Sequence, residues 1–194
     1  MDDRTAAACR FVLVGTTHSG NLGATARAMR TMALEELALV GTACAVDDQA
    51  LAMAAHADHV LRTATQHDDL ATAVADAQLC LGLTARPRRD GVPALTPREA
   101  AATIAAESGP VAVLFGRERT GLTNAELANC QRLVHIPANP DYPALNLAAA
   151  VQIMAYEIFL ARSAPVPAAG GDGQGATPPA TGAHLEGLHQ CIEQ

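Results

Sequence analysis

Short runs rich in leucine and β-branched residues recur along the chain, separated by longer alanine-rich stretches with helical spacing, and this alternation constrains the fold more than any other feature. Strands joined through helices pair in parallel, so the chain is expected to form an α/β domain, a parallel sheet covered by helices. The strand candidates are Phe11 to Val14, Leu37 to Val40, Val60 to Leu61, Leu79 to Leu83, Val111 to Phe115 and Leu133 to Ile136. Two helices announce their starts. Thr96-Pro97-Arg98-Glu99 supplies a capping hydroxyl, a proline at the first helical position and a glutamate reaching back, and Thr123-Asn124-Ala125-Glu126 repeats the box without the proline. A last helix starts near Asn146 and runs through Val151, Ile153, Met154 and Ile158 to Arg162.

These patterns place one domain over residues 1–162. Residues 163–183 are dense in proline, glycine and alanine and read as a flexible linker. Residues 184–194 resume a weak helical pattern too short to stand alone, as expected for the start of a C-terminal helical extension that is cut short or docks on a partner.

Charge and composition narrow the function classes. The formal net charge is −7 and the 13 basic residues are all arginine, which argues against a simple basic nucleic-acid binder. With 3% aromatic residues and no tryptophan, stacking platforms for single-stranded bases are not expected. The five cysteines, Cys9, Cys44, Cys80, Cys130 and Cys191, are scattered without a Cys-x-x-Cys pair, a pattern of reduced thiols. His56 and His59 have no third ligand nearby and read as surface histidines, so no metal is expected. No apolar run reaches the ~18 residues of a membrane span, and Asp2 and Asp3 stand where a signal peptide would be basic, so a cytoplasmic location without membrane contact is expected.

In an open parallel sheet ligands bind beyond the carboxyl ends of the strands, and three such segments stand out. Gly15-Thr16-Thr17-His18-Ser19-Gly20-Asn21-Leu22-Gly23 leads into a helix bearing Arg27 and Arg30. Its glycine spacing is that of a phosphate-cradling loop, but Asn21-Leu22 stands where Lys-Ser/Thr is required, which speaks against a nucleotide triphosphatase; the other reading is a tight turn before a solvated helix. Gly116-Arg117-Glu118-Arg119-Thr120-Gly121 puts a carboxylate between two guanidiniums, an arrangement that either rigidifies a loop or aims Glu118 at a ligand. The third, from Ile136 to Ala148, holds three prolines and then Asn146, at a helix cap or a buried hydrogen-bonding position.

Three motifs, Asn21-x-Gly23-x-x-x-Arg27, Gly116-Arg117-Glu118-x-x-Gly121-Leu122, and Ile136-Pro137 through Leu145-Asn146-Leu147-Ala148, resemble in order and spacing those of the SpoU family of RNA ribose 2′-O-methyltransferases, part of the SPOUT superfamily. Thr17-His18-Ser19-Gly20-Asn21, Gly82-Leu83-Thr84-Ala85-Arg86 and Ala155-Tyr156-Glu157 bring the chain nearest the branch that methylates ribose 32 in the tRNA anticodon loop. The resemblance covers roughly Phe11 to Arg162.

The resemblance implies a SPOUT fold with a C-terminal deep trefoil knot, a homodimer packed through its knot helices, and S-adenosylmethionine held in the knot. By motif position the cofactor would meet Leu83, Thr84, Ala85, Gly116, Ile136, Pro143, Ala144 and Leu145. Arg27 matches the family's catalytic arginine; a guanidinium is a poor base, so it is expected to stabilise the ribose alkoxide. Asn21 would orient Arg27 or the ribose, and Glu118 and Asn146 would complete the polar wall. Arg30, Arg86, Arg88, Arg89, Arg117 and Arg119 are the expected tRNA contacts, giving an acidic chain a basic face. The dimer helix from Asn146 to Arg162 would bury apolar residues such as Ile153 and Ile158. Ala144 stands where many family members carry serine, so a hydroxyl is missing or comes from Thr84 or Tyr142. That departure motivates the alternative of an inactive SPOUT-fold RNA-binding protein.

Overall fold

Alternation of buried side chains along β1 (Cys9–Val14), β2 (Leu37–Val40), β4 (Leu79–Leu83) and β5 (Val111–Phe115) divides the apolar residues between two faces of one sheet. The computed structural model describes residues 8–85 and 94–163. With the edge strands β3 (Thr65–His67) and β6 (Arg132–Val134), the sheet has six strands, all parallel, in the order β3-β2-β1-β5-β4-β6.

One face carries Phe11, Leu13, Leu39, Leu81, Val113 and Phe115. It is covered by α1 (Ser19–Thr31), α2 (Asp48–Ala54), α3 (Asp58–Arg62), α5 (Pro97–Ala106) and α7 (Leu147–Arg162). The Phe11 and Phe115 rings meet at its centre, their centroids 5.1 Å apart. The other face, with Val12, Val14, Ala38 and Leu114, is covered by the short helices α4 (Leu70–Ala73) and α6 (Asn124–Leu127). Burial pushes the Cys9 and Cys130 thiols up to about 12, so both behave as apolar filler.

Both expected capping boxes form, at Thr96–Glu99 and Thr123–Glu126. The strand expected at Val60 to Leu61 does not. Those residues are the buried side of α3, whose exposed ends Asp58 and Arg62 pair one turn apart at 3.0 Å, and the neighbouring strand is instead Thr65-Gln66-His67. An edge strand contributes backbone pairing with little side-chain burial, so its polar sequence carries no period-2 signal. Ile158, expected in a dimer interface, is 1% exposed within its own chain's core, and Ile153 is half-buried; the exposed apolar side chains of α7 are Tyr156, Phe159 and Leu160.

At the β6 edge, Leu95 bridges Val134 in parallel, with Leu95 N–H donating to Leu133 O and His135 N–H to Leu95 O, both at 2.9 Å. Strand β6 therefore lies between β4 on one side and Leu95 on the other, although two helices and a strand separate Leu95 from it in the chain. The expected linker and C-terminal extension lie outside the described residues, apart from Ser163 at the linker's start.

Helix α1 is pressed onto α2 at Gly23, where a Cβ would stand 2.1 Å from Ala50 O and 2.8 Å from Met53 Cβ. Gly23→Ala must separate the two helices and is expected to cost roughly 1–3 kcal/mol, read as a lowered Tm; an unchanged Tm would show that this contact is not rigid.

Candidate functional site

Because every strand is parallel, the segments after β1, β4, β5 and β6 emerge at one edge of the sheet, where residues far apart in the chain meet. The segment after β1 turns at Gly15, with φ +65°, and enters α1 through His18, which caps the helix without a side-chain bond. The segment after β5 closes on itself: Arg117 N–H donates to Gly121 O at 3.3 Å and Gly121 N–H to Arg117 O at 2.9 Å. Gly116 belongs to this closure, since a Cβ there would lie 2.1 Å from Gly121 C and 2.2 Å from Leu122 N. Its missing side chain serves the loop's own backbone.

A chain of hydrogen bonds joins the three motifs. Asn21 Nδ2 donates to Glu118 Oε1 at 2.9 Å, and Asn146 Nδ2 donates to Asn21 Oδ1 at 3.0 Å. Asn146 Oδ1 accepts from Ala148 N–H at 2.9 Å and so caps α7, which makes Asn146 both the helix cap and a member of the polar network. Thr17 adds its backbone N–H and its hydroxyl, 3.3 and 3.1 Å from the Glu118 carboxylate. Partial burial by itself would raise the Glu118 carboxyl, but the bonds from Asn21, Thr17 and its own backbone outweigh it and hold the group below the usual carboxylate range. Glu118 is thus ionised, an acceptor rather than a proton donor.

Beside this network lies a cleft of about 490 Å³ walled by Leu83, Thr84, Ala85, Phe115, Gly116, Leu122, Leu127, Pro143, Ala144 and Leu145 and by the 117–121 loop, including Glu118. A second chamber of about 100 Å³ extends it between Leu83, Thr84, Ala85, Val134, Ile136, Pro143, Leu145 and Ala150. Each of the eight expected cofactor residues lines one chamber or both. Val134, Ala150 and Leu127 join them from outside the motifs, since as isolated apolar residues they look like any core position, and Leu122, a motif residue with no expected cofactor role, joins them too. His135 also went unmarked. Its Nδ1 lies 3.1 Å from Thr84 O, while Thr84 N–H donates to Val134 O at 2.9 Å, so the segment after β6 holds Thr84 in the cleft wall. Thr84 lines both chambers and Tyr142 neither; Tyr142 is 78% exposed.

The arginines divide into distinct groups. Arg27 is exposed on α1 and has no hydrogen-bond or ion-pair partner among the described residues. Both ends of the Asn21 amide are engaged by Glu118 and Asn146, and of its two expected roles, orienting Arg27 or orienting the ribose, the first has no Asn21–Arg27 hydrogen bond among the described residues. Arg30 pairs with Glu35, and Arg117 turns away from Glu118 to Glu126, so Glu118 is not clamped between guanidiniums. Arg119 is exposed at the cleft rim, and Arg86, Arg88 and Arg89 lie outside the described residues. Among the described residues no group of three or more His, Cys, Asp or Glu side chains is placed to hold a metal ion, and no helix is long and apolar enough to cross a membrane.

The model of the SpoU rRNA methylase family matches residues 8–156, the span that contains the network and both chambers. The chain belongs to this family. The SpoU domain is 52% identical over 154 residues to the tRNA (cytidine/uridine-2′-O-)-methyltransferase TrmJ of Yersinia enterocolitica, an alignment covering 78% of this chain and 60% of that protein. The chain thus spans about 60% of the length of the curated relatives it matches first. Among solved structures, TrmJ from Z. mobilis superposes with a TM-score of 0.76 at 34% identity, covering 96% of this chain and 78% of that one. AviRb of Streptomyces viridochromogenes, a SpoU methyltransferase solved with AdoMet, shares the fold at a TM-score of 0.65 and 18% identity, over 81% of this chain and 61% of that one.

The Glu118 network stabilises the SpoU domain in a pH-dependent way. Its carboxyl is lowered on folding, so the contribution is present above the ordinary value of 4.5 and is lost as the pH falls through the lower folded value. Glu118→Gln is expected to be less stable than the parent near neutrality, with the difference closing in acid; urea midpoints across that range check it, and a constant difference would mean that the charge is not what the network uses.

Proposed function

We propose that this SpoU domain transfers a methyl group from S-adenosylmethionine to a ribose 2′-hydroxyl of cytoplasmic tRNA, at a cytidine or uridine of position 32 in the anticodon loop. The observation that carries the reading is the Glu118–Asn21–Asn146 network, which ties the three motifs together beside an apolar cleft. The names of the TrmJ relatives support the tRNA ribose as substrate, and the AdoMet complex of AviRb supports the cofactor.

The cleft fits the cofactor chemically. Leu83, Val134, Ile136, Pro143, Leu145 and Ala150 offer an uncharged apolar wall suited to an adenine ring, and the adjoining chamber opens onto the polar 116–121 loop. When bound, S-adenosylmethionine supplies a sulfonium-activated methyl group. The protein's part is to align the ribose oxygen with it and to stabilise the negative charge that grows there. Arg27, a guanidinium with no partner among the described residues, is the residue for that charge. Glu118 is already ionised and held by donors, which makes it a weak base; its role is to fix Asn21, and through it Asn146, as the polar wall.

The trefoil knot belongs to the same reading, supported by the placement of β6 between β4 and Leu95. So does the homodimer. Tyr156, Phe159 and Leu160 are 47%, 40% and 40% exposed at positions i, i+3 and i+4 of α7, one apolar strip that a second copy of the helix would cover.

Incubating tRNA with the protein and cofactor, then measuring nucleosides by mass spectrometry, is expected to reveal 2′-O-methylated cytidine or uridine; cofactor binding without any methylated nucleoside would favour an RNA-binding protein without activity. Arg27→Ala should lower turnover on the order of 10²–10³-fold with cofactor affinity nearly unchanged, and an equal loss of cofactor binding in titration calorimetry would remove Arg27 from the catalytic role. Phe159→Asp should shift the sedimentation coefficient to that of a monomer; an unaltered value would place the interface elsewhere.

A further inference from the structure

Arg117 adjoins the polar network and lines the cleft, a position that in an RNA-modifying domain invites assignment to a phosphate. Its surroundings say otherwise. Nη1 lies 3.0 and 3.1 Å from the two carboxylate oxygens of Glu126, whose side chain is only 16% exposed. Glu126 is itself anchored: its Oε2 accepts from Thr123 N–H at 2.7 Å and its own N–H donates to Thr123 Oγ1 at 3.2 Å, the capping box of α6. The stem of Arg117 lies across the turn after β1. A Cβ on Gly15 would stand 2.6 Å from Arg117 Nε and 2.8 Å from its Cγ, so only glycine leaves room for this crossing. The backbone of Arg117 closes the loop onto Gly121. One side chain therefore ties α6, the segment after β5 and the segment after β1 into one body, and the residue that follows it is Glu118, which receives Thr17 and Asn21 from that same β1 segment.

We infer that Arg117 is a positioning residue, which through its ion pair with Glu126 and its packing on Gly15 sets the Glu118 carboxylate against Asn21, and that it is not a contact to RNA. The inference rests on the methyl-transfer reading for its kinetic test, and it accounts for the pairing of a cleft arginine with a carboxylate that would otherwise weaken any hold on a phosphate.

Glu126→Gln separates the two roles, because glutamine at the third helical position keeps the capping box while removing the charge opposite Arg117. As a positioning pair, Arg117→Ala and Glu126→Gln should each lower kcat by about 10- to 100-fold, with the tRNA KM little changed and the double variant no worse than the poorer single one. The slope of log binding constant against log salt should be the same in Arg117→Ala as in the parent. As an RNA contact, Arg117→Ala would instead flatten that slope by about one, and Glu126→Gln would tighten tRNA binding with kcat intact; that pair of results overturns the inference. If the parent transfers no methyl group, the functional reading fails by itself. The side-chain amide resonance of Asn21 then decides: displacement in both variants upholds the positioning role and an unmoved signal refutes it.

Discussion

An ionised carboxylate can only accept hydrogen bonds, and at Glu118 that restriction propagates through the whole site. Asn21 must turn its NH₂ toward the carboxylate, which leaves its carbonyl oxygen for the next donor. Asn146 then turns its NH₂ to Asn21, and its own oxygen is left facing the N-terminus of α7, where the unpaired N–H of Ala148 needs an acceptor. Every member has one orientation that satisfies its neighbours. The helix that begins at this network packs against α1 and α5, so the polar wall and the core are held by the same element.

The apolar cleft depends on that arrangement. Its floor is the carboxyl edge of β4 and β5, and its walls are the segments after β5 and β6, neither of which is regular structure. Such segments keep their shape only where their backbone groups are tied down. Here the ties are specific: Gly116 packs on Gly121, Thr84 is held by Val134 and His135, and Arg117 crosses Gly15 to reach Glu126. A site of this kind uses main-chain shape more than charged side chains. Arg27, unpaired among the described residues, stands clear of these ties and is left available to a ligand.

Much of this was legible beforehand. The parallel α/β class, five of the six strands and both capping boxes follow from periodicity and cap chemistry, and eight residues of the cleft wall from motif position in the family resemblance. The misses share a cause. Val60 and Leu61 are apolar in either a strand or a helix, and five residues are too few for the period to decide, whereas the true edge strand Thr65–His67 buries too little to show an apolar pattern. Val134, Leu127 and Ala150 were invisible as cleft residues because lining a pocket and filling a core ask for the same side chains.

By itself the sequence determined which groups could meet: an amide, a carboxylate and a second amide at strand ends, glycines at the turns, hydroxyl and glutamate pairs at helix starts, and an acidic chain whose basic charge is all arginine. Only the tertiary structure decided who met whom. Glu118 might have been held by Arg117 or Arg119, its neighbours in the chain; it is held instead by Asn21, 97 residues away, which in turn bonds Asn146, 125 residues away. Those partners are chosen by the strand order β1-β5-β4-β6, which lines up the carboxyl ends of distant strands, and by the room at Gly15 that lets the Arg117 side chain cross to Glu126. Local sequence encodes what each residue can bond, but the competition among bonds is settled by packing, because a hydrogen bond needs its partner within about 3 Å and only the folded sheet brings these residues that close.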